Sequence, residues 1–240
     1  MKIMNRVVER RAEATSLSRA HGLESQFLKG LARADLDLVL AAATPRRFLG
    51  GSVVASQGDP ADYLFLLTTG CARYFFITPE GRKVLLLWLK PGEIFGAAAL
   101  LSQPSAYLVS AEIIKDSSVL VWQRTAIRKL AVRHPQLTEN ALSFASNYLT
   151  WYLATHMALI SHSASERLAG ALVSLAKGVG RRVDGGVKLD ITNEELASTA
   201  NITPFTASRL LSEWQRSGAV LKSRGGIVLR SPEQLFVREI

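Results

Sequence analysis

Several residues near the carboxyl end of the chain have side chains suited to hydrogen bonding with nucleic-acid bases and phosphates. They are Thr192, Thr203, Phe205, Thr206, Ser208, Arg209, Lys222 and Arg224. Arginine makes the bidentate contact to guanine in the major groove, and an aromatic ring can press on a thymine methyl group. Lysine and arginine outside the groove would bind phosphates. The predicted chemistry is recognition of bases and phosphates.

Two short helices are predicted to position these side chains. Thr192 and Glu195 have the spacing of a capping box, so the first helix should begin directly after Thr192. Asn201 tolerates left-handed backbone geometry and is predicted to end that helix. Thr203 can cap a second helix whose first residue is Pro204, where the missing N–H of proline costs least. Helices joined this closely form a helix-turn-helix.

The second helix is predicted to be amphipathic and to be followed by a β-hairpin. Its inward residues are Ala207, Leu210, Leu211 and Trp214. Beyond it, two β-branched runs flank Gly225 and Gly226, as in a hairpin. Lys222, Arg224 and Arg230 would place positive charge on this wing. Capped helix pairs also occur in bundles that bind nothing, but the added wing favours a winged helix-turn-helix that binds double-stranded DNA.

The composition favours a globular protein with a polyanionic partner. Of the 240 residues 48% are apolar, and 29 Lys and Arg against 20 Asp and Glu give a net charge of +9. The single cysteine, Cys71, is typical of a reducing compartment and excludes a cluster held by several thiolates. No apolar run reaches the roughly 20 residues of a membrane helix. We therefore expect a cytoplasmic protein with no membrane partner.

The amino-terminal half is predicted to be mostly β structure after a basic arm over residues 1–24. A helical pattern over 26–40 is followed by short apolar runs separated by glycine and turn pairs. The runs predict strands at 52–55, 63–67, 72–77, 84–89, 106–113 and 118–122. Gly70 and the Lys115-Asp116 pair are predicted breaks. Regular short strands of this kind indicate an antiparallel, jelly-roll-like β-roll over residues 25–134.

A long helix is predicted after Pro135, reaching about Ser161 with apolar residues on more than one face. One domain would not cover both faces, so the second face is predicted to form a dimer seam. The seam residues are Phe144, Tyr148, Trp151, Tyr152 and Met157. Burial of the helix inside one large domain is the alternative. The dimerisation helix and a hinge occupy 135–164, and the winged helix-turn-helix domain, with its first helix over 166–177, occupies 165–240.

The order of these elements and several motifs resemble the Crp/Fnr family of bacterial transcription regulators. The motifs are Gln57-Gly58-Asp59 with Ala61-Asp62, Gly70, Glu80-Gly81-Arg82, Pro91-Gly92-Glu93-Ile94-Phe95-Gly96, and the ITNEELA and TASRLL blocks. The resemblance implies an α+β protein with an N-terminal antiparallel β-roll, a long dimerisation helix and a C-terminal winged helix-turn-helix. It also implies a homodimer on a two-fold symmetric DNA site, a small-molecule effector in the β-roll, and contact with RNA polymerase.

The candidate effector pocket departs from the pattern of cyclic-AMP-binding members of that family. Its residues are Gly96, Ala97, Ala98, Ser105, Ala106, Tyr107 and Tyr152. The resemblance places a glutamate for the ribose at the position of Ala97, and an Arg-Ser pair for the phosphate at Ser105 and Ala106. A buried phosphate without a cationic partner is costly. The resemblance thus leaves the effector unknown, with cyclic AMP disfavoured and the pocket vestigial or repurposed.

Other sensing chemistries of the family are restricted by the cysteine and histidine content. One cysteine cannot supply the four ligands of an iron–sulfur cluster. Haem would need an axial ligand from His21, His134, His156 or His162, but a histidine beside Pro135 or in a hinge is more often a surface residue. Metal ligands and catalytic residues are not predicted, because no motif joins a nucleophile to a base.

The sequence therefore predicts a transcription regulator that binds an inverted-repeat DNA site as a homodimer. The alternative is a regulatory subunit that uses the β-roll and the winged helix for protein contacts. Failure to select palindromic DNA would favour that alternative.

Overall fold

A computed structural model describes residues 22–223 and 225–236. Its helices and strands follow in chain order. They are α1 (Arg33–Ala41), β1 (Thr44–Phe48), β2 (Val53–Ala55), β3 (Tyr63–Ile77), β4 (Lys83–Leu89), β5 (Ile94–Phe95), a 3₁₀ helix (Ala97–Leu100), β6 (Ser110–Gln123), α2 (Arg124–Arg133), α3 (Gln136–Ser161), α4 (Ala164–Gly178), β7 (Arg181–Val183), β8 (Gly186–Leu189), α5 (Asn193–Thr199), α6 (Pro204–Arg216), β9 (Val220–Ser223), β10 (Gly226–Leu229) and a second 3₁₀ helix (Pro232–Phe236).

The described chain divides into two compact units, one of residues 22–77 and 89–148, the other of 78–88 and 149–236. The boundary passes through α3 between Tyr148 and Leu149. Residues 78–88 join the second unit, where Trp88 packs against its apolar core.

The sheet of the first unit is antiparallel, as predicted for the β-roll. Strand β6 pairs with β1, β2 and β3, and β3 also pairs with β5. The prediction split β3 at Gly70 and split β6 at the Lys115-Asp116 pair, and both breaks are wrong. Both strands continue through these positions, because the register of the β3–β6 pairing shifts between Leu67 and Ala72. Gly70 has φ 94°, and a side chain there would overlap Ser117.

Two further expectations in this unit need correction. The helical pattern over 26–40 forms turns up to Gly30, and α1 begins only at Arg33. Gly30 has φ 80°, and the Asn140 side chain donates to the carbonyl oxygens of Phe27 and Lys29, which a helix would have used internally. Residues 106–109 lie outside β6, with only a single bridge from Ala106. Strands β1 and β5 were not predicted.

The core of the first unit packs the helices against one face of the sheet. Trp122 is fully buried, stands edge-on to Phe27 at a ring-centroid distance of 6.2 Å, and donates from Nε1 to the carbonyl oxygen of Val39 at 2.7 Å. Other members of this core are Leu40, Leu64, Leu66, Ile94, Leu120, Ile127 and Leu137. This apolar contact holds the sheet and the amino-terminal end of α3 together.

The second unit has its own core, formed by α4, α5 and α6 on a four-stranded antiparallel sheet. The strand order is β7-β8-β10-β9. The hairpin of β9 and β10 is the predicted wing, whereas the β7–β8 hairpin was not predicted. Helix α4 begins two residues before the predicted 166, because Ser163 caps it in a reciprocal capping box with Glu166.

The long helix α3 has 26 residues, close to the predicted length. Its buried residues lie only in its first turns, at Leu137, Asn140 and Ala141. Further along, the helix exposes large apolar side chains at helical spacing. These are Leu142, Leu149, Tyr152, Leu153, Met157, Leu159 and Ile160.

Candidate nucleic-acid interface

Thr192 and Glu195 form the predicted capping box at the start of α5. Thr192 Oγ1 accepts a hydrogen bond from the Glu195 N–H at 3.2 Å, and Glu195 Oε2 accepts one from the Thr192 N–H at 2.9 Å. The helix runs from Asn193 to Thr199 and buries Leu196 and Ala197. The predicted start of this helix is confirmed.

The turn after α5 contains Asn201, the only non-glycine residue with positive φ in the described part of the chain, at 49°. Arg167 of α4 supports this turn from outside. Its Nε donates to the carbonyl oxygen of Ala200 at 3.2 Å, and its Nη1 donates to that of His162 at 2.8 Å. Sequence reasoning missed Arg167, because its partner in this turn, Ala200, lies 33 residues further along the chain.

Helix α6 begins at Pro204 with Thr203 as its N-cap, as predicted. Thr203 Oγ1 accepts from the Thr206 N–H at 3.1 Å, and the two hydroxyl groups lie 2.9 Å apart. The predicted inward residues Ala207, Leu210, Leu211 and Trp214 are all buried. This packing fixes which face of α6 points outward.

The outward face presents an apolar ring and a cation side by side. Phe205 is 80% exposed, and the Arg209 side chain is 57% exposed. Ser208 and Thr206 are half-buried between them. An exposed helix face with one arginine among small polar side chains has the composition of a major-groove recognition surface.

Three hydrogen bonds on this face were not predicted. Arg209 Nη1 donates to Glu213 Oε1 at 2.7 Å, one turn further along α6. Lys222 of the wing donates from Nζ to Ser212 Oγ at 2.9 Å. Ser212 in turn donates to the carbonyl oxygen of Ser208 at 2.8 Å. The hydrogen bonds of Ser212 with Lys222 and Ser208 join the wing to the outward face of α6.

The wing pairs β9 with β10, with Lys222 opposite Ile227. Arg230 follows β10 and is exposed. Arg224 lies outside the described residues. The described cations Arg209, Lys222 and Arg230 thus belong to one compact unit and provide donors for phosphates as well as bases.

The candidate effector pocket in the first unit is crowded by its own side chains. Gly96 has φ 76°, and a Cβ there would lie 2.7 Å from the carbonyl oxygen of Tyr63 and 3.1 Å from ring atoms of Phe65 and Tyr107. Tyr107 is buried, and its hydroxyl donates to the Tyr63 carbonyl at 2.9 Å and accepts from the Tyr63 N–H at 3.1 Å. Phe65 stacks on Phe95 at 4.7 Å.

The remaining predicted pocket residues are held mainly by backbone contacts. Ser105 accepts at its carbonyl from the Ala61 N–H at 2.8 Å, and Ala106 bridges to Pro60. Ala97 and Ala98 lie in the 3₁₀ helix that Gly96 precedes. Tyr152 belongs to the other unit.

Two partly buried titratable groups near Gly96, Tyr74 and Glu93, are a phenol and a carboxyl. Burial raises the pKa of Tyr74, although a hydrogen bond from the Gly96 backbone opposes the shift. Burial also raises the pKa of Glu93, whose carboxyl accepts from the Lys90 N–H at 3.0 Å. The predicted pocket residues include no positive side chain. A cyclic phosphate would therefore meet no cationic side chain among these predicted residues.

The histidines are dispersed. His134, expected at the surface, has a side chain that is only 9% exposed, with Nδ1 3.5 Å from Asp35 Oδ2. His156 stacks on Tyr152 at a ring-centroid distance of 6.4 Å. His21 lies outside the described residues. Over residues 22–223 and 225–236, three or more metal-ligating side chains never come together. In the same part of the chain, helices with the length and apolarity needed to span a bilayer are absent.

The fold and this surface define a winged helix-turn-helix DNA-binding protein with a β-roll domain. The family model for the cyclic nucleotide-binding domain matches residues 45–134, and that for the Crp-like helix-turn-helix domain matches residues 166–236. Together they span more than half of the chain. The chain belongs to the Crp/Fnr family of DNA-binding transcription regulators, as its sequence motifs indicated.

Relatives with known names extend the match over most of the chain. The cyclic AMP receptor protein of Thermus thermophilus is 29% identical over 216 residues, which cover 90% of this chain and 96% of that protein. The anaerobic regulatory protein of Bacillus subtilis is 23% identical over 202 residues, 83% of this chain and 85% of that protein. The structure of FixK2 from Bradyrhizobium japonicum matches with a TM-score of 0.67 and 26% identity over 80% of this chain and 95% of that one. Because the named relatives are regulators, the prediction that the chain is not an enzyme is confirmed.

Proposed function

We propose that this regulator binds an inverted-repeat DNA site as a homodimer in the cytoplasm. The observation that carries the proposal is the outward face of α6, where Phe205 and Arg209 are exposed beside the tethered wing cation Lys222. Two such helices related by two-fold symmetry would enter successive major grooves about 34 Å apart. Arg209 would bind a guanine in each half-site, and Phe205 would contact a thymine methyl group.

The exposed stripe of α3 supports self-association. Leu153 is 54% exposed and Met157 59% exposed, and Leu149 and Ile160 lie on the same helical stripe. An apolar stripe of this length is favourable when it packs against its own copy across a two-fold axis. Of the predicted seam residues, Tyr152 and Met157 are exposed. Phe144 packs partly on the core of the first unit.

Crowding of the candidate effector pocket supports the proposal that the β-roll has lost its cyclic-nucleotide site. Tyr107 is buried against Gly96, and the positions of the expected ribose and phosphate contacts hold Ala97, Ser105 and Ala106. The chain therefore acts without cyclic AMP, either with another effector or with none. Contact of the DNA-bound dimer with RNA polymerase completes the proposal.

Selection from a random DNA library tests the function directly. The full-length chain is expected to enrich a palindrome whose half-sites are separated by about one helical turn of DNA. Enrichment of an unpaired half-site would contradict the dimeric mode, and enrichment of no sequence would favour a subunit that works through protein contacts. In a separate calorimetric titration, tight binding of one cyclic AMP per subunit would contradict the lost sensor site.

A further inference from the structure

The ion pair between Arg209 and Glu213 lies on the surface proposed to bind DNA. Arg209 Nη1 and Glu213 Oε1 are 2.7 Å apart, with the side chains 57% and 39% exposed. Both belong to α6, and they are separated by one helical turn. The contact is short although neither side chain is buried.

Fold stability is a poor explanation for this pair. Exposed ion pairs contribute little, because water screens the charges and two long side chains lose rotational freedom. The order of the residues is also unfavourable, since helices gain more from an acidic residue placed before its basic partner than after it. In addition, Glu213 brings negative charge to a surface that must approach phosphates. On electrostatic grounds alone, a neutral residue would serve DNA binding better.

The geometry of the guanidinium suggests what Glu213 does. The bond to Glu213 uses Nη1, and the opposite edge of the group, formed by Nε and Nη2, can still make a two-donor contact. A side chain held in one orientation loses less entropy when it binds a base. A partly neutralised arginine also gains less from a misplaced phosphate contact. The other nearby cation, Lys222, is bound to Ser212.

We propose that Glu213 is a positioning residue that sets the base preference of Arg209 and suppresses its binding to random DNA. This inference rests on the proposed function. Glu213→Gln keeps the size of the side chain and an acceptor oxygen but removes the charge that holds the guanidinium. Preference for the base at the Arg209 position is expected to fall about two- to tenfold. Affinity for random DNA should rise, with a salt dependence steeper by up to about one phosphate contact.

The experiment measures binding of wild type, Glu213→Gln, Arg209→Ala and the double variant to the selected site, to its single-base variants and to random DNA. In the Arg209→Ala background, Glu213→Gln should leave base preference unchanged, because the side chain it orients is gone. Glu233→Gln is the matched control, since it removes one exposed carboxylate of the same unit away from α6. An unchanged unfolding midpoint for Glu213→Gln would show that the fold is intact.

The outcomes separate this inference from the function on which it rests. Loss of preference that depends on Arg209 supports it. If Glu213→Gln keeps the wild-type preference, or changes it equally when Arg209 is absent, the positioning role is wrong while the function stands. If the same shifts appear in Glu233→Gln, net charge explains them and the inference is also overturned. A wild-type chain that selects no sequence overturns both.

Discussion

Among single residues, Arg209 should contribute most to base preference. It is exposed on the outward face of α6 and has the fork of donors that matches guanine. Arg209→Ala should cost about 1–3 kcal/mol of binding free energy and relax specificity at one base pair per half-site. Binding to all single-base variants of the selected site measures both effects.

Lys222→Ala provides the matched comparison for this prediction. Because Lys222 lies on the wing, its loss should weaken binding to all sequences equally and reduce the salt dependence by about one phosphate contact. If Arg209→Ala behaves in the same uniform way, Arg209 contacts phosphate and the assignment of base recognition to it is wrong.

Glu93 predicts a pH dependence of the β-roll. Burial raises the pKa of its carboxyl above the ordinary value of 4.5, so folding favours the protonated form. The stability linked to this group is fully present below the unfolded pKa and is lost as pH rises through the folded pKa. Glu93→Gln keeps the acceptor for the Lys90 N–H and cannot ionise. It should therefore be more stable than wild type at neutral pH.

Thermal unfolding between pH 4 and pH 8 tests this prediction. The difference between Glu93→Gln and wild type should be smallest at the acidic end and grow as the wild-type carboxyl ionises. A difference that is constant over the range would show that packing of the amide, and not ionisation, separates the two proteins.

On the scale of helices and strands, the winged helix depends on its caps. Thr192 satisfies a backbone N–H of α5 that otherwise has no partner within the helix. Thr192→Ala should lower the free energy of unfolding of this unit by about 1 kcal/mol, while Thr192→Ser should keep most of it. Urea unfolding of both variants measures the difference. Equal losses would assign the effect to the threonine methyl group and not to the cap.

The same scale shows where local patterns mislead. Gly70 interrupts an apolar run, which is typical of a turn, yet it lies within a continuous β3. A β-bulge at this point needs the positive φ of Gly70 and its lack of a side chain. The helical pattern before Leu40 likewise extends too far toward the amino end, because Asn140 binds the carbonyl oxygens of Phe27 and Lys29. In both places the deciding partner comes from a distant part of the chain.

For the whole molecule, dimer formation should control DNA affinity. Leu153→Lys places a charge on the exposed apolar stripe of α3, where a second copy would have to bury it. The variant is expected to be monomeric and to bind the full palindrome about a hundredfold more weakly, since the two half-sites are no longer engaged together. Native mass spectrometry gives the subunit number, and it would also detect a retained effector.

Ala154→Lys is the control for this variant. Ala154 is exposed one residue further along α3 and about 100° around the helix, off the apolar stripe. The Ala154→Lys variant should remain dimeric. Dissociation by both variants would show that added charge anywhere on the helix suffices, and a dimeric Leu153→Lys would place the interface elsewhere.

The sequence alone determined the features whose partners lie within a few residues of one another. The caps at Thr192 and Thr203, the hairpin at Gly225 and Gly226, and the inward face of α6 follow from local hydrogen bonding and helical periodicity. They were enough to predict the winged helix and the residues on its outward face. Similarity of the motifs then indicated the family.

Only the tertiary structure decided which distant groups meet. It placed Arg167 against the turn before α6, Tyr107 against Gly96, and the wing cation Lys222 on Ser212. Each contact joins elements separated by intervening turns or whole strands, so local periodicity does not specify it. Packing of the two apolar cores brings these groups together, because burying apolar surface repays the entropy of closing the intervening chain.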